Sequence, residues 1–383
     1  MRDKLSDRVL KLKGSATLGI NSKVKELKRK GIDVINLSVG EPDFDTPIPI
    51  KEEAISGIRE GFTKYTEPEG TFELREVICE KLLRENSLSY TPEQIVVSNG
   101  AKHSIFNTLL ATLNPGDEVI IPAPYWVSYP AMVKIAGGKP VFCKWNDEFK
   151  IDIDHLKSLI NKRTKLIILN SPCNPTGIVY TRKELEEIAE IIVENNILCI
   201  SDEIYEKIVY DVEHVSIASI DEEVKRRTIL VNGVSKAFAM TGWRIGYIAA
   251  DIEISKAVKK IQSHTTSCPS SVSQKAAISA IKWYSDISKI MVEKFKRRRD
   301  YIIRNISEKI PYLQPQGTFY IFLNIGNSDS EKVAKKLLEE KHVAVVPGKD
   351  FGAEGFLRVS FATDIENIKE GIKRINEFAE ENL

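Results

Sequence analysis

Short apolar, β-branched runs recur through the first three-quarters of the chain, separated by stretches whose apolar residues fall at helical spacing. The runs are Ile95-Val96-Val97-Ser98, Glu118-Val119-Ile120-Ile121, Pro140-Val141-Phe142-Cys143 and Leu166-Ile167-Ile168-Leu169, then Ile197-Leu198-Cys199-Ile200, Thr228-Ile229-Leu230-Val231 and Ile245-Gly246-Tyr247-Ile248. Most are apolar on both faces, the pattern of strands covered by helices on each side of a sheet. Between them lie amphipathic stretches; Ile105, Phe106, Leu109, Leu110 and Leu113, for example, share one helical face. The alternation predicts a mainly parallel, doubly wound α/β sheet of seven strands. Ligands of such sheets gather at the carboxyl ends of the strands.

Past about residue 283 the pattern changes. A long charged helix over roughly 287–306 leads to Thr318-Phe319-Tyr320-Ile321-Phe322-Leu323, a further helix, Val343-Ala344-Val345-Val346, Leu357-Arg358-Val359-Ser360 and a closing helix. This predicts a small α+β unit, with the N-terminal segment through Asp43 packing against it. The expected division is a large domain of residues 44–282 and a small one made of 1–43 and 283–383. No internal repeat or low-complexity stretch interrupts it.

Composition narrows the function classes. Of 383 residues, 42% are hydrophobic, enough for a large core. Lys and Arg number 55 against 54 Asp and Glu, leaving a net charge of +1, so no global field recruits nucleic acid or an acidic membrane. The densest basic run, Lys296-Arg297-Arg298-Arg299, is expected to be a solvated helix face. The five cysteines are scattered without a CxxC pair, and Cys143 and Cys199 fall in apolar strands as small buried side chains. The five histidines show neither HxH nor HExxH spacing, so no metal site is expected. With no apolar leader and no membrane-length stretch, the chain reads as soluble, reduced and cytoplasmic.

The chemistry concentrates where strands end. Lys236 follows the strand Thr228–Val231, where a partly dry cleft lowers an amine's pKa and makes it a nucleophile; alone, however, a lysine is more often a solvated surface residue. Eight residues on, Arg244 offers a planar cation suited to a phosphate, or else an ordinary ion-pair partner. An amine for a Schiff base and a guanidinium for a phosphate are what pyridoxal 5'-phosphate (PLP) requires. Ser98-Asn99-Gly100-Ala101-Lys102-His103 joins a strand to a helix whose first-turn N–H groups make a phosphate seat. Lys102 opposes the helix dipole there, which an anion nearby would justify; a tolerated solvated lysine is the alternative.

In Ser171-Pro172-Cys173-Asn174-Pro175-Thr176-Gly177 the prolines hold the Asn174 amide in one orientation, for a phenolate or a carboxylate, unless it is a plain turn. Asp202, at the end of a strand apolar on both faces, needs a partner such as a pyridinium N–H, or else caps a following helix. Tyr205 adds a hydroxyl. Trp126 can stack on a planar ring or pack in the core. Arg358, within an otherwise apolar strand, calls for an anion, and a carboxylate matches it bidentately.

Taken together these runs resemble the fold-type-I PLP enzymes, specifically the class I aminotransferases, and most nearly their bacterial and archaeal aspartate aminotransferase subgroup. The likeness extends from Ser38-Val39-Gly40-Glu41-Pro42-Asp43-Phe44 to Pro347-Gly348-Lys349-Asp350-Phe351-Gly352, with Asn174-Pro175-Thr176-Gly177, Asp202-Glu203-Ile204-Tyr205 and the Ser235-Lys236…Gly242-Trp243-Arg244 spacing between. The resemblance implies that Lys236 bonds the cofactor aldehyde and shuttles a proton, that Asp202 meets the ring nitrogen, and that Asn174 and Tyr205 contact the 3'-oxygen. It implies Trp126 stacked on the ring, with Arg244, Ser235 and the backbone of Gly100, Ala101 and Lys102 on the phosphate. Gly233 stands three residues before Lys236, where the family often carries a hydroxyl, so one phosphate contact is expected to be missing.

Arg358, Asn174 and the Gly40 backbone would hold the substrate α-carboxylate, Trp126 would also border the substrate, and Lys102 would take its distal carboxylate. Tyr65 resembles a tyrosine that reaches the neighbouring subunit's phosphate, which implies a homodimer. The implied reaction is amino transfer from L-aspartate to 2-oxoglutarate, by a ping-pong route through pyridoxamine phosphate. Some relatives with these motifs also aminate prephenate, for which Lys13 is a candidate contact. An aromatic or broad-specificity aminotransferase, or a C–S lyase, would keep every cofactor residue. A non-catalytic regulator of the same fold is disfavoured by the intact Lys236 and the lack of a DNA-binding segment. A nicotinamide enzyme is disfavoured by the absent GxGxxG.

Overall fold

The computed structural model describes residues 4–10, 12, 14, 16–283 and 287–382; Lys13 lies outside them. The strands run in chain order as β1 (Ile35–Asn36), β2 (Ile95–Ser98), β3 (Glu118–Pro122), β4 (Lys139–Cys143), β5 (Thr164–Asn170), β6 (Leu198–Asp202) and β7 (Thr228–Gly233). They continue as β8 (Gly246–Ala249), β9 (Tyr312–Leu313), β10 (Tyr320–Asn324), β11 (Val343–Ala344), β12 (Val346–Pro347) and β13 (Phe356–Ser360).

Among the described residues, β2 to β8 form one seven-stranded sheet in the order β2-β8-β7-β6-β5-β3-β4. Every pairing in it is parallel except those of β8, which runs antiparallel to both β2 and β7. The apolar-on-both-faces pattern has the expected cause. All of β7 is buried, and helices cover both sides of the sheet centre, burying Ile188 and Ile192 in one apolar cluster and Ile105 and Leu109 in another. The predicted boundaries shift by a residue or two: β6 begins at Leu198 and runs on to Asp202, and β8 begins at Gly246. Asp202 is therefore part of the buried strand.

A second, four-stranded antiparallel sheet has the order β12-β13-β10-β9. The single strand predicted over 343–346 is two strands serving different partners. β11 pairs in parallel with β1, and β12 pairs with β13. The backbone just after β1 then reaches β13, where the Ser360 N–H donates to the Leu37 carbonyl at 2.8 Å. Phe295, Phe319 and Phe361 pack beneath this sheet with ring centroids 5.3 to 6.4 Å apart. Each is fully buried, worth roughly 1.5–3 kcal/mol of apolar transfer.

The basic run on the helix Ile287–Asn305 corrects an expectation. Lys296 and Arg297 do face solvent, but Arg298 and Arg299 are buried. Arg298 makes a two-pronged pair with Asp43 at 2.7 and 2.8 Å, and its guanidinium lies 5.2 Å from the Phe44 ring centroid. Arg299 meets Asp211 and Asp300 and lies over the Tyr210 ring. Four cations in a row span more than one helical face, so the turn that carries them inward is set by where Asp43 and Asp211 fold, not by local composition.

One contact joins the two sheets at the site. Gly177 adopts φ +73°, and its carbonyl accepts from the N–H groups of Gln316 and Gly317, both at 2.8 Å. A Cβ there would lie 2.6 Å from Pro315 Cβ and 2.7 Å from the Gly317 oxygen, so both φ and space demand glycine. No helix of the described residues is long and apolar enough to cross a membrane.

Arg298→Ala leaves Asp43 facing an apolar wall without its partner. We expect a loss of about 1–3 kcal/mol, the burial of the pair being incomplete, read as a lower urea midpoint with unchanged slope.

Candidate active site

The carboxyl ends of β5, β6 and β7 converge with the start of the helix Ala101–Thr112, and β13 with the segment after β1 closes the other side. Lys236 is half-buried at the centre. Its amine donates to the Gly40 carbonyl at 2.5 Å and lies 5.7 Å from the ring centroids of both Tyr205 and Phe319. Burial is the main reason its pKa falls to about 8; Arg358 and Arg244 push the same way, while Glu41 and Asp202 oppose them. At neutral pH a usable fraction of this amine is already unprotonated.

Asp202 reaches the site from the end of β6. Burial raises its carboxyl to about 6, against hydrogen bonds from Tyr129 and the Ile204 N–H. The Tyr129 hydroxyl donates to Oδ2 at 2.6 Å. The capping alternative fails because residues 204–207 form a turn and not a helix. A half-satisfied carboxylate beside a cationic amine is suited to a second, cationic N–H donor.

Arg358 is 3% exposed. Its NH1 donates to Asn174 Oδ1 at 3.0 Å and its NH2 to the Ser38 carbonyl at 2.9 Å, while the Tyr320 ring lies 4.2 Å away. Its Nε, fully buried, has no protein acceptor. Two of the guanidinium's nitrogens are thus spent on orientation, and among the described residues no ion pair with a carboxylate balances its charge. The Asn174 oxygen being committed to Arg358, its NH2 group is the end left to donate onward. Asn170 Oδ1 in turn accepts the Asn174 N–H at 2.9 Å.

Backbone shape builds the anion seat. Gly100, at φ +89°, precedes the first turn of the helix Ala101–Thr112. Arg244 crosses directly over it, so that a Cβ on Gly100 would overlap the guanidinium. The guanidinium is held by carbonyls, with NH1 to Thr241 at 2.9 Å and NH2 to Asn99 at 3.1 Å. A Cβ on Gly246 would overlap the Ala101 nitrogen, which explains how β8 presses the helix start into place. Free N–H groups and a guanidinium at one helix terminus attract an anion.

Lys102 is exposed, and its Nζ sits 4.7 Å from the Trp126 ring centroid. Trp126 stands edge-to-face with Tyr129 at 5.3 Å. Lys102 is therefore directed toward the aromatic wall. Although the residue is exposed as a whole, partial desolvation of its amine, and then Arg244, lower its pKa. Ser235 is buried beside Lys236. Gly233 has a steric reason of its own: a Cβ there would lie 2.7 Å from the Ile245 carbonyl oxygen. Tyr65 is not brought in; it stands 88% exposed on the single chain.

The sequence reading missed several participants. Tyr129 carries no signal of its own in the sequence, and Tyr320, whose hydroxyl lies 3.0 Å from that of Tyr205, stands there only as part of an apolar strand. Their partners are 73 and 115 residues away in sequence, so no local spacing marks them. Also unforeseen is a cluster of Glu203, Glu206 and His214, whose donor atoms lie within 4.8 Å of one another. Their oxygens are already engaged: Ser201, Ser216 and His214 hold Glu203, and Lys81 with Asn86 holds Glu206. Lys81 supplies a cation to Glu206.

Comparison with known proteins follows the same lines. The Aminotransferase class I and II family profile matches residues 32–375. An aspartate aminotransferase of Bacillus sp. (strain YM-2) is 48% identical over 99% of this chain and 100% of its own length. An aspartate/prephenate aminotransferase of Nitrosomonas europaea is 44% identical over 97% and 98%. The aspartate aminotransferase of Thermus thermophilus solved with maleate superposes with a TM-score of 0.94 at 42% identity, covering 98% of this chain and 99% of that one.

Gly100→Ala forces Arg244 off its seat. We expect the thermal stabilisation given by millimolar inorganic phosphate to wild type to be lost in the variant, with the far-UV circular dichroism unchanged.

Proposed function

This chain belongs to the aminotransferase class I and II family, and from that premise we propose that it uses pyridoxal 5'-phosphate to move the amino group of L-aspartate to 2-oxoglutarate. The observation that carries the reading is the desolvated amine of Lys236, set among Asp202, Arg244 and Arg358. The donor set fits the cofactor in kind. Arg244, Ser235 and the N–H groups at Gly100, Ala101 and Lys102 suit a phosphate dianion, Asp202 a ring N–H, Tyr205 and the Asn174 amide a phenolate, and Trp126 a ring face. Bound there, pyridoxal phosphate supplies an aldehyde for the amine and a cationic ring that withdraws electrons from the substrate Cα.

The protein's own part is positioning and proton transfer. Asp202, oriented by Tyr129, carries the negative charge that keeps a ring nitrogen protonated. Arg358, pre-oriented by Asn174 and Ser38, has its unmatched charge available for the α-carboxylate. The Lys236 amine, once released by a substrate amine, is the base that takes the Cα proton and returns it. Lys102, at the Trp126 wall, is placed to select a second carboxylate; the Thermus neighbour solved with maleate supports a dicarboxylate preference.

We read residues 44–282 as the cofactor-binding domain, and 1–43 with 283–383 as the one that closes the substrate side. Exposed Tyr65, with Ile48, Ile58 and Phe72 also exposed in the same stretch, supports a homodimer whose sites are completed across the interface.

Incubation with pyridoxal phosphate and borohydride should add the reduced adduct to Lys236 alone. Its rate should rise from pH 6 and level off above about 8, because only the unprotonated amine attacks; a flat profile, or an adduct elsewhere, contradicts the reading. Lys102→Ala should lower kcat/KM for aspartate by roughly 10- to 100-fold, the worth of one charge-assisted hydrogen bond, and leave neutral amino acids nearly unaffected. Equal losses for all substrates would assign Lys102 to the phosphate instead. Faster turnover of phenylalanine or cystathionine would favour the aromatic or C–S lyase alternatives.

A further inference from the structure

The segment from Gly40 to Thr46 is strapped across the loop that carries Lys236 and Arg244. At its far end the Thr46 hydroxyl donates to the Ala239 carbonyl at 2.8 Å and accepts from the Trp243 indole N–H at 2.9 Å. Asp43 is held by Arg298. At its near end the Gly40 carbonyl accepts from Lys236, and the next residue, Glu41, accepts the Thr241 hydroxyl at 2.8 Å. Glu41 is exposed, yet four ties on neighbouring residues leave its carboxylate little choice of position.

We propose that Glu41 is a positioning residue of the reaction: tethered by Thr241, its carboxylate holds the strap closed over the Lys236 loop and steadies the ammonium form of Lys236 against the Gly40 carbonyl until an aldehyde arrives. This rests on Lys236 being the reactive amine. The groups facing that amine are Asp202 from β6, Arg358 from β13, Arg244 from its own loop, the Tyr205 and Phe319 rings, and Glu41. Two cations and burial favour the neutral amine; Asp202 and Glu41 oppose them. Asp202 already accepts the Tyr129 hydroxyl, and of the two carboxylates Glu41 acts on the lysine more strongly. Because Glu41 is exposed, its influence is modest and sensitive to salt.

Two substitutions separate charge from tether. Glu41→Gln keeps an oxygen for Thr241 and removes the charge; Thr241→Val keeps the charge and removes the tether. The readout is the pH midpoint of borohydride-trapped pyridoxal phosphate on Lys236, followed by mass spectrometry at low ionic strength and at 1 M salt. For Glu41→Gln the midpoint should fall by ~0.5 pH unit, a roughly 3-fold faster trapping at pH 7, and the difference should collapse at 1 M salt. For Thr241→Val it should move the same way by less. Wild-type midpoints in Glu41→Gln overturn the inference, and a wild-type midpoint in Thr241→Val overturns the tether. If wild type itself gives no Lys236 adduct, the cofactor reading fails and this one with it.

Discussion

The desolvated amine of Lys236 is the constraint around which the rest is arranged. An ammonium cannot be taken from water without compensation, and here the compensation is partial: one carbonyl, two carboxylates at a distance, and two guanidiniums that repel it. The amine is left near its switching point, the condition that the proposed role, attacking an aldehyde and carrying a proton, asks of it.

Holding that arrangement requires rigidity from parts that do no chemistry. The Gly177 carbonyl clamps the loop bearing Asn174 to residues 316 and 317, between β9 and β10 of the second sheet. Asn174 then orients Arg358, whose other hand is on Ser38. The chain of contacts runs through four distant stretches of sequence, at residues 38, 174–177, 316–317 and 358. Glycines at 100, 177, 233 and 246 appear where a Cβ would collide with neighbouring backbone or with Arg244. They are placed by close approach, which is why they cluster around the site and not in ordinary turns.

Much of this was legible in the sequence because it is written in periodicity and in strand ends. The seven apolar runs predicted the sheet, and Lys236, Asp202, Asn174 and Lys102 all lie just past or at the ends of such runs. What stayed hidden depends on partners far along the chain. Tyr129 has no local signal, and only the packing of β6 brings Asp202 to it. Arg298 and Arg299 looked like a solvated stripe until Asp43 and Asp211 folded against them. The run at 343–346 looked like one strand, and its division between two sheets follows from β1 taking one half as a partner.

Local pattern by itself determined the α/β class and the helix-covered sheet, and it marked the helix start after β2 and Lys236 as the candidates for a phosphate seat and a reactive amine, because burial on both faces and strand-end placement need only neighbours in sequence. Tertiary structure alone decided which charges face one another. The Gly40–Lys236 contact, the Arg358–Asn174 pair and the Glu203–Glu206–His214 cluster each join segments that no spacing relates. The electrostatics of a buried site depend on separations of a few ångströms in a medium that screens poorly, and only the packed chain sets those separations.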